Sequence, residues 1–339
     1  MVTLAVIGCG YWGPNVIRVL HGLDACTVRT ICDLDPERVA SIGRRYPTLR
    51  GVTDARAIFD DPEIDAVAIC TPIRTHYPLA RAALDAGKHV LLEKPLTHSV
   101  ATAEELVRLA DERHLVLQVD HTFIHAGAVR KIRSLIDEGQ LGDILYVDCV
   151  RVNLGLFQSD VNVLWDLAPH DVSIINYLIG REPIWVSATG TSHYGTMENQ
   201  AYVTMRFDGS LIAHLHVNWL APVKVRSTLI GGSKRMIVYD DLEPSEKIRV
   251  YEKGVTMHAD PASRTKALVD YRTGDMFAPY IDKTEPLERS CRTFLEAITS
   301  GSRPPTDGRA GLAVVRILAA AEESIRTDGT RVPLAAVGS

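Results

Sequence analysis

Two short motifs contain titratable side chains whose types and spacing suit acid–base chemistry. Glu93-Lys94-Pro95 closes the apolar run HVLLEKPL, and Asp166-Leu-Ala-Pro-His170 places a carboxylate and an imidazole four residues apart. On a helix, residues four apart share a face. A histidine, whose ordinary pKa is ~6.5, exchanges protons near neutral pH, and a lysine ammonium stabilises negative charge on an oxygen. The two motifs therefore contain groups suited to proton transfer and to stabilising negative charge, although each alone is more typical of structure: a surface turn, and an N-capped helix with a buried histidine.

A glycine-rich segment near the N-terminus, AVIGCGYWGPNV, has the spacing Gly8-x-Gly10-x-x-Gly13. It follows a strand-like run and opens a helix-like one, which is the context that dinucleotide binding requires. There the glycines permit a tight turn and let the backbone approach a pyrophosphate at the helix N-terminus. The alternative is a glycine-rich turn of an ordinary α/β protein. We expect the whole loop to contact the cofactor: Gly8, Cys9, Gly10, Tyr11, Trp12 and Gly13.

Asp33 ends the second strand-like run, about 20 residues after the glycines, as this type of site demands. Its carboxylate would accept hydrogen bonds from ribose hydroxyls and repel a 2′-phosphate, which predicts NAD rather than NADP as the cofactor. Arg38 leaves one question open, because it can stack on adenine or neutralise a 2′-phosphate.

The elements that position these motifs alternate between two patterns in the first third of the chain. Strands are predicted at Thr3–Gly8, Thr27–Cys32, Ala66–Thr71, His89–Glu93 and Leu115–Val119. Helices are predicted at Trp12–Gly22, Pro36–Tyr46, His76–Ala86 and Ser99–His114. Aliphatic strands that alternate with helices predict a doubly wound parallel sheet, which binds ligands at the carboxyl ends of its strands.

After residue 122 the pattern changes. We predict a helix at Ala128–Glu138, a strand at Ile144–Leu154, a helix around Asp171–Leu178, turn-linked strands from Ile184 to Tyr251, and helices at Leu287–Ser300 and Asp307–Thr327. The expected fold is therefore α/β, with a dinucleotide-binding domain over residues 1–122. Residues 123–339 are expected to form an α+β domain on a largely antiparallel, open sheet.

Composition limits the partners. The formal charge of −5 offers no basic excess for nucleic acid or anionic membranes. No apolar run approaches the ~18 residues of a membrane span. The six cysteines form no CxxC pair and mostly lie in apolar runs, which favours free thiols, a cytoplasmic location and no metal site.

The motifs together resemble the glucose–fructose oxidoreductase / inositol dehydrogenase / MocA (Gfo/Idh/MocA) family over essentially the whole chain. The resemblance rests on VIGCGYWG, CTPIRTHYPLARAALDAGKHVLLEKPL, the DxxxH motif and PLERSCRTFLEAITSGSRPPTDGRAGLAVVRIL. It implies an NAD-binding Rossmann domain and a C-terminal sheet that is often buried in a dimer or tetramer. The segments GYWGPN and WDLAPHD are similar to those of enzymes of sugar-nucleotide and glycoside biosynthesis.

The resemblance also implies a catalytic set, in which Lys94 matches the family's lysine, Asp166 its carboxylate and His170 its histidine. We favour His170 as the base and Lys94 as the group that stabilises the alkoxide, with Asp166 orienting His170 or holding a substrate hydroxyl. Lys94 is the alternative proton carrier if burial lowers its pKa.

By the same resemblance, Thr71, Pro72 and His76 match the loop that touches the nicotinamide ribose and pyrophosphate, and Glu93 lies beside that ribose. Many members have glycines around the DxxxH motif where this chain has other residues, so that Trp165 is expected to pack on the nicotinamide. The remaining polar residues that could line a substrate site are equally typical of a solvated surface: His121, Arg151, Asn153 and Asn162.

The leading hypothesis is an NAD-dependent dehydrogenase that acts on a ring hydroxyl, at carbon 3, of a sugar, nucleotide sugar or aminoglycoside-type glycoside. A redox-neutral, NAD-dependent glycosidase would use the same groups without net NADH formation. A non-catalytic sugar or NAD sensor on the same fold is the third hypothesis, and would be expected to lack Lys94, Asp166 and His170.

Overall fold

The computed structural model describes residues 1–155, 157, 160–257 and 269–334, and the chain divides into two compact units. The first unit comprises Met1–His125 and Thr284–Ala319, and the second comprises Ala126–Lys283 and the chain from Ala320 onward. The sequence-based boundary after residue 122 lies close to the first crossing, but it assigned residues 284–319 to the second domain. They fall in the first unit because Leu287, Cys291, Phe294 and Leu295 belong to its hydrophobic core.

The first unit contains a six-stranded parallel sheet. Its strands are β1 (Val2–Ile7), β2 (Cys26–Cys32), β3 (Arg50–Val52), β4 (Ala66–Ile69), β5 (His89–Glu93) and β6 (Leu117–Asp120), in the order β3-β2-β1-β4-β5-β6. Its helices include α1 (Gly13–His21), α2 (Pro36–Arg45), α3 (Arg56–Phe59), α4 (His76–Asp85) and α5 (Val100–Glu112). This confirms the doubly wound sheet. The strand order reverses between β1 and β4, where such sheets bind ligands.

The second unit contains a nine-stranded mixed sheet. Its helices include α6 (Gly127–Asp137) and α7 (Val163–Ile179). The strands of the second unit, in chain order, are β7 (Ile144–Leu154), β8 (Trp185–Thr191), β9 (Gln200–Arg206), β10 (Ile212–Asn218), β11 (Leu220–Gly232), β12 (Met236–Asp240), β13 (Ile248–Tyr251), β14 (Gly254–Met257), β15 (Val269–Arg272), β16 (Met276–Phe277) and β17 (Val332–Pro333). The sheet order is β16-β13-β12-β11-β7-β10-β9-β8-β17, and β14 pairs with β15 separately. Only β7 and β10 pair in parallel among these described strands, which confirms a largely antiparallel sheet.

The two faces of this sheet differ in exposure. Helix α7 packs on β7, β9 and β10, and alternate side chains such as Leu215 and Val217 are buried on one face. Because side chains alternate along a strand, the opposite face carries Tyr146, Tyr202 and Ile212, which remain substantially exposed. The Tyr202 ring stacks on the His216 ring there, with centroids 4.3 Å apart.

Two C-terminal helices complete the fold. Helix α8 (Pro286–Ser300) lies in the first unit, and α9 (Gly308–Arg326) begins in the first unit and ends in the second. Gln118 of β6 holds α8 through a hydrogen bond of 3.0 Å to the Ser290 carbonyl. In the part of the chain that the structure describes, no helix has the length and apolarity needed to cross a membrane.

Candidate active site

Three glycines shape the loop between β1 and α1, and the space around Gly10 differs from that around Gly8 and Gly13. Gly8 has a φ of +100°, and a Cβ there would lie 2.4 Å from the Cys70 carbonyl oxygen. A Cβ on Gly13 would lie 1.8 Å from the Gly8 carbonyl oxygen. The fold itself therefore requires these two glycines. At Gly10 the nearest atom to an added Cβ is a guanidinium nitrogen of Arg38 at 3.5 Å, so glycine is required there only if a ligand occupies the space.

A cavity of about 730 Å³ opens over this loop within the first unit. Its size falls in the range of cofactor pockets, roughly 300–1,000 Å³. The predicted cofactor residues that line it are Gly8, Gly10, Tyr11, Trp12, Asp33, Arg38, Thr71, Pro72 and Glu93. An open cradle at Gly10, at the N-terminus of α1, fits the pyrophosphate of a dinucleotide.

The Asp33 carboxylate is fixed at the end of β2, on the wall of the cavity. Its Oδ2 accepts a hydrogen bond of 2.7 Å from the Cys9 amide, and its Oδ1 accepts one of 2.9 Å from the Asp35 amide. Arg38 lies 3.8 Å from Oδ2. These bonds hold the carboxylate where ribose hydroxyls would meet it, and leave it further acceptor capacity.

Several lining residues escaped the sequence interpretation. Leu34, which is 90% exposed, follows Asp33 directly and offers an apolar surface. The position of an apolar side chain straight after the acid was the available signal. Arg74, Thr75, Pro78 and Leu79 line the cavity from the start of α4 and the 3-10 turn before it. Their contribution depends on a short helical turn that residue patterning does not reveal.

His76 was predicted to touch the cofactor, but it is buried and outside the cavity lining. Its Nδ1 lies 2.9 Å from the Pro95 carbonyl oxygen and its Nε2 lies 2.8 Å from the Thr71 carbonyl oxygen. His76 thereby ties the Thr71 loop to the turn that follows Lys94.

Lys94 directly follows β5, and the Lys94–Pro95 peptide is cis. His121 is 1% exposed, and neither of its ring nitrogens has a hydrogen-bond partner among the described residues. Burial, the nearby Lys94 ammonium and His125 lower the pKa of His121 to about 3. Two of the predicted site residues, Lys94 and His121, therefore lie close enough to interact electrostatically, and the His121 imidazole is uncharged.

Asp120, beside His121, is anchored inside the first unit. It accepts hydrogen bonds from the Trp12 indole at 3.2 Å, the Ser290 hydroxyl at 2.9 Å and the Thr122 hydroxyl at 3.1 Å. Burial raises the pKa of Asp120, and these three hydrogen bonds oppose that shift. The Trp12 ring, which lines the cavity, is consequently held in place by its hydrogen bond to Asp120.

In the second unit, Asp166 lies in the first turn of α7 and His170 one turn later, so one helix carries both side chains. Asn162 is the N-cap residue of α7: its Oδ1 accepts the Trp165 amide at 3.1 Å, and its Nδ2 donates to Glu198 at 2.9 Å. Both ends of the Asn162 amide are thus hydrogen-bonded, one in the helix cap and one to Glu198, which gives this predicted substrate ligand a structural role. Trp165 itself is buried.

The indole N–H of Trp219 donates to Oδ2 of Asp166 at 3.1 Å. Trp219 follows β10 and is fully buried. The sequence does not predict this contact, because the two residues are far apart in the chain and only the packing of α7 on β10 brings them together. Trp219 fixes the orientation of the carboxylate, while the N-terminus of α7 favours its negative charge.

Arg151 was predicted as a substrate ligand, and the structure instead pairs it inside the second unit. Its Nε donates to Oδ2 of Asp171 at 2.5 Å, and its Nη2 donates to Oδ1 of Asp171 at 3.0 Å. Both side chains are almost fully buried. A buried guanidinium requires such a counter-charge. The pair joins β7 to α7. Asn153, two residues further along β7, remains half-buried.

All six cysteines are free thiols, and burial raises the pKa of each one. They are therefore uncharged side chains rather than nucleophiles. Within the described residues, no three His, Cys, Asp or Glu side chains are grouped so that they could hold a metal ion.

Comparison with known proteins agrees with this geometry. Residues 2–121 match the oxidoreductase family with an NAD-binding Rossmann fold, and residues 129–238 match the GFO/IDH/MocA C-terminal domain. The chain is also 31% identical, over 93% of its length and 94% of the relative, to UDP-N-acetylglucosamine 3-dehydrogenase of Acidithiobacillus ferrooxidans. The chain belongs to the Gfo/Idh/MocA family.

Other Gfo/Idh/MocA relatives act on cyclitols or were solved with cofactor. The scyllo-inositol 2-dehydrogenase (NADP(+)) of Bacillus subtilis is 27% identical over 97% of this chain and 95% of its own. The structure of GenD2 from gentamicin A biosynthesis, solved with NAD, superposes with a TM-score of 0.83 at 23% identity, over 99% of this chain and 97% of that one. The first comparison gives a related enzyme and the second the shared fold.

Proposed function

We propose that this Gfo/Idh/MocA protein is an NAD-dependent dehydrogenase that oxidises a secondary ring hydroxyl, at carbon 3, of a sugar, nucleotide sugar or aminoglycoside-type glycoside. The observation that carries the proposal is the cavity in which Asp33 and the open cradle at Gly10 lie together. The substrate class is supported by the relative named UDP-N-acetylglucosamine 3-dehydrogenase, which aligns over nearly the whole chain.

In the proposed reaction, bound NAD supplies the hydride acceptor. His170 takes the hydroxyl proton, because an imidazole is the side chain best matched to proton transfer near neutral pH. The Lys94 ammonium donates a hydrogen bond to the same oxygen as negative charge develops. Asp166, oriented by Trp219, orients His170 or holds a neighbouring hydroxyl. Lys94 and the uncharged His121 would contribute to substrate binding as well.

The test is the appearance of NADH absorbance when the purified protein meets NAD and a panel of sugars, nucleotide sugars, inositols and aminoglycosides. We expect one class to be oxidised, and Lys94→Ala to lower kcat steeply while the Kd for NAD stays near that of the wild type. Lys253→Ala, which truncates an exposed lysine, is the matched control. Turnover that survives Lys94→Ala would refute the assignment. Cleavage of a glycoside without NADH would replace the dehydrogenase with the redox-neutral glycosidase.

We also propose that the protein is a homo-oligomer that pairs through the open face of the nine-stranded sheet. The exposed Tyr146, Tyr202 and Ile212 on that face support this assignment, since clustered apolar side chains mark interaction surfaces. Light scattering should give a dimer or tetramer, and Ile212→Lys should shift it toward the monomer. A monomeric wild type would exclude the proposal.

The six free thiols support a reducing, cytoplasmic location.

A further inference from the structure

A second cavity, of about 690 Å³, lies wholly within the second unit. Its lining residues are Leu154, Phe157, His193, Tyr194, Gly195 and Leu220. Leu154 is 71% exposed, Phe157 47% and Tyr194 68%. Large apolar side chains grouped at this exposure are costly in water, and such groups mark binding sites.

This cavity is connected to the candidate catalytic carboxylate by two direct contacts. The Phe157 ring packs on the Trp219 ring with centroids 5.5 Å apart, at an angle of 52°. Trp219 in turn donates its indole N–H to Asp166 at 3.1 Å. A group that sits against Phe157 therefore lies within reach of a sugar ring held at Asp166.

One buried residue, Asn199, fixes the part of the cavity wall that His193 and Tyr194 form. Asn199 accepts the His193 amide at 3.0 Å through its side-chain oxygen and donates to the Tyr194 carbonyl at 2.8 Å through its side-chain nitrogen. Its own carbonyl accepts the Trp219 amide at 3.0 Å. The same residue thus positions both the cavity wall and the indole that orients Asp166.

We propose that this cavity is an aglycone subsite, which binds an uncharged planar group linked to the sugar that is oxidised. Aromatic rings offer stacking faces to planar groups. Among the lining residues that the structure describes there is no lysine, arginine, aspartate or glutamate, so a diphosphate or an ammonium group would find no ionic partner in them. The inference rests on the proposed function, because it places the sugar beside Asp166.

The experiment compares the para-nitrophenyl and methyl glycosides of the same sugar as substrates. In the wild type the KM of the para-nitrophenyl glycoside should be about tenfold lower, since a stacked ring contributes roughly 0.5–1.5 kcal/mol beyond its burial. Phe157→Ala and Leu154→Ala should each raise that KM about tenfold, and Leu154→Ala should leave kcat and the KM of the methyl glycoside unchanged. Leu242→Ala, which truncates an exposed leucine outside the cavity, is the control and should change neither KM.

A second measurement keeps the subsite separable from the proposed function. Quenching of tryptophan fluorescence by the para-nitrophenyl glycoside reports binding without turnover. If no sugar is oxidised, quenching that is weakened by Phe157→Ala would still support the subsite, whereas the dehydrogenase assignment would fail. Equal KM values for the two glycosides, or variants that affect both equally, would overturn the subsite. Turnover of a nucleotide sugar alone, indifferent to Phe157 and Leu154, would overturn it as well.

Discussion

Gly10→Ala should weaken cofactor binding without weakening the fold. The added Cβ meets no protein atom closer than the flexible Arg38 guanidinium, at 3.5 Å, so the free energy of unfolding should change by less than about 0.5 kcal/mol. The same methyl group occupies the cradle expected to hold the pyrophosphate. Overpacking of a filled site costs typically 1–3 kcal/mol, which corresponds to a rise in the Kd for NADH of about 5- to 150-fold.

The assay combines urea unfolding with a fluorescence titration of NADH, and Gly13→Ala provides the contrast. There the added Cβ would lie 1.8 Å from the Gly8 carbonyl oxygen, so the backbone must shift and the urea midpoint must fall. If Gly10→Ala binds NADH like the wild type, or if it unfolds as readily as Gly13→Ala, the proposed use of this loop is refuted.

Three further predictions concern other side chains. In the folded protein His121 is uncharged, with a pKa of about 3, whereas in the unfolded chain its pKa is ~6.5. Its contribution to the free energy of unfolding is therefore present above pH ~6.5 and is lost on acidification, by about 1.4 kcal/mol between pH 7.5 and 5.5. Urea midpoints should show a larger loss in the wild type than in His121→Asn, in which two other histidines of lowered pKa, His89 and His216, remain. Trp219→Phe removes the hydrogen bond to Asp166 and should lower kcat about 10- to 100-fold with an unchanged Kd for NADH; an unchanged kcat would contradict its positioning role. Asp171→Asn leaves the buried Arg151 charge uncompensated and should cost about 3–5 kcal/mol in urea unfolding; a loss within 1 kcal/mol would show that the pair contributes little, about as a surface pair does.

The sequence predicted the elements that have strong local patterns. The strand β7 occupies the predicted range, Ile144–Leu154, and the strands of the first unit lie within a few residues of their predicted bounds. Helix α7 begins at Val163, earlier than the predicted start near Asp171. Residue patterning did not predict this start, because the capping residue Asn162 is held by Glu198 from a distant loop. The short β3 and α3 escaped prediction, since a three- or four-residue element has no recognisable period.

The residues of the candidate site also differ in how far they could be predicted from local sequence patterns. The glycines and Asp33 could be assigned from spacing alone, because one loop and one strand end place them. The contacts of His76, Arg151 and Asp166 could not, since their partners come from other strands and turns: the Pro95 carbonyl, Asp171 and Trp219. Sequence identifies such polar residues as candidates, but only packing shows whether a side chain is already satisfied inside the protein.

The central claim is that the first unit binds NAD at Asp33, and calorimetric titration of NADH and NADPH tests it most directly. We predict that the wild type binds NADH at least about tenfold more tightly than NADPH, because a 2′-phosphate would face the Asp33 carboxylate. Asp33→Ala should weaken NADH far more than NADPH and so remove the preference. Tighter binding of NADPH, or an equal loss of both cofactors in Asp33→Ala, would contradict the account.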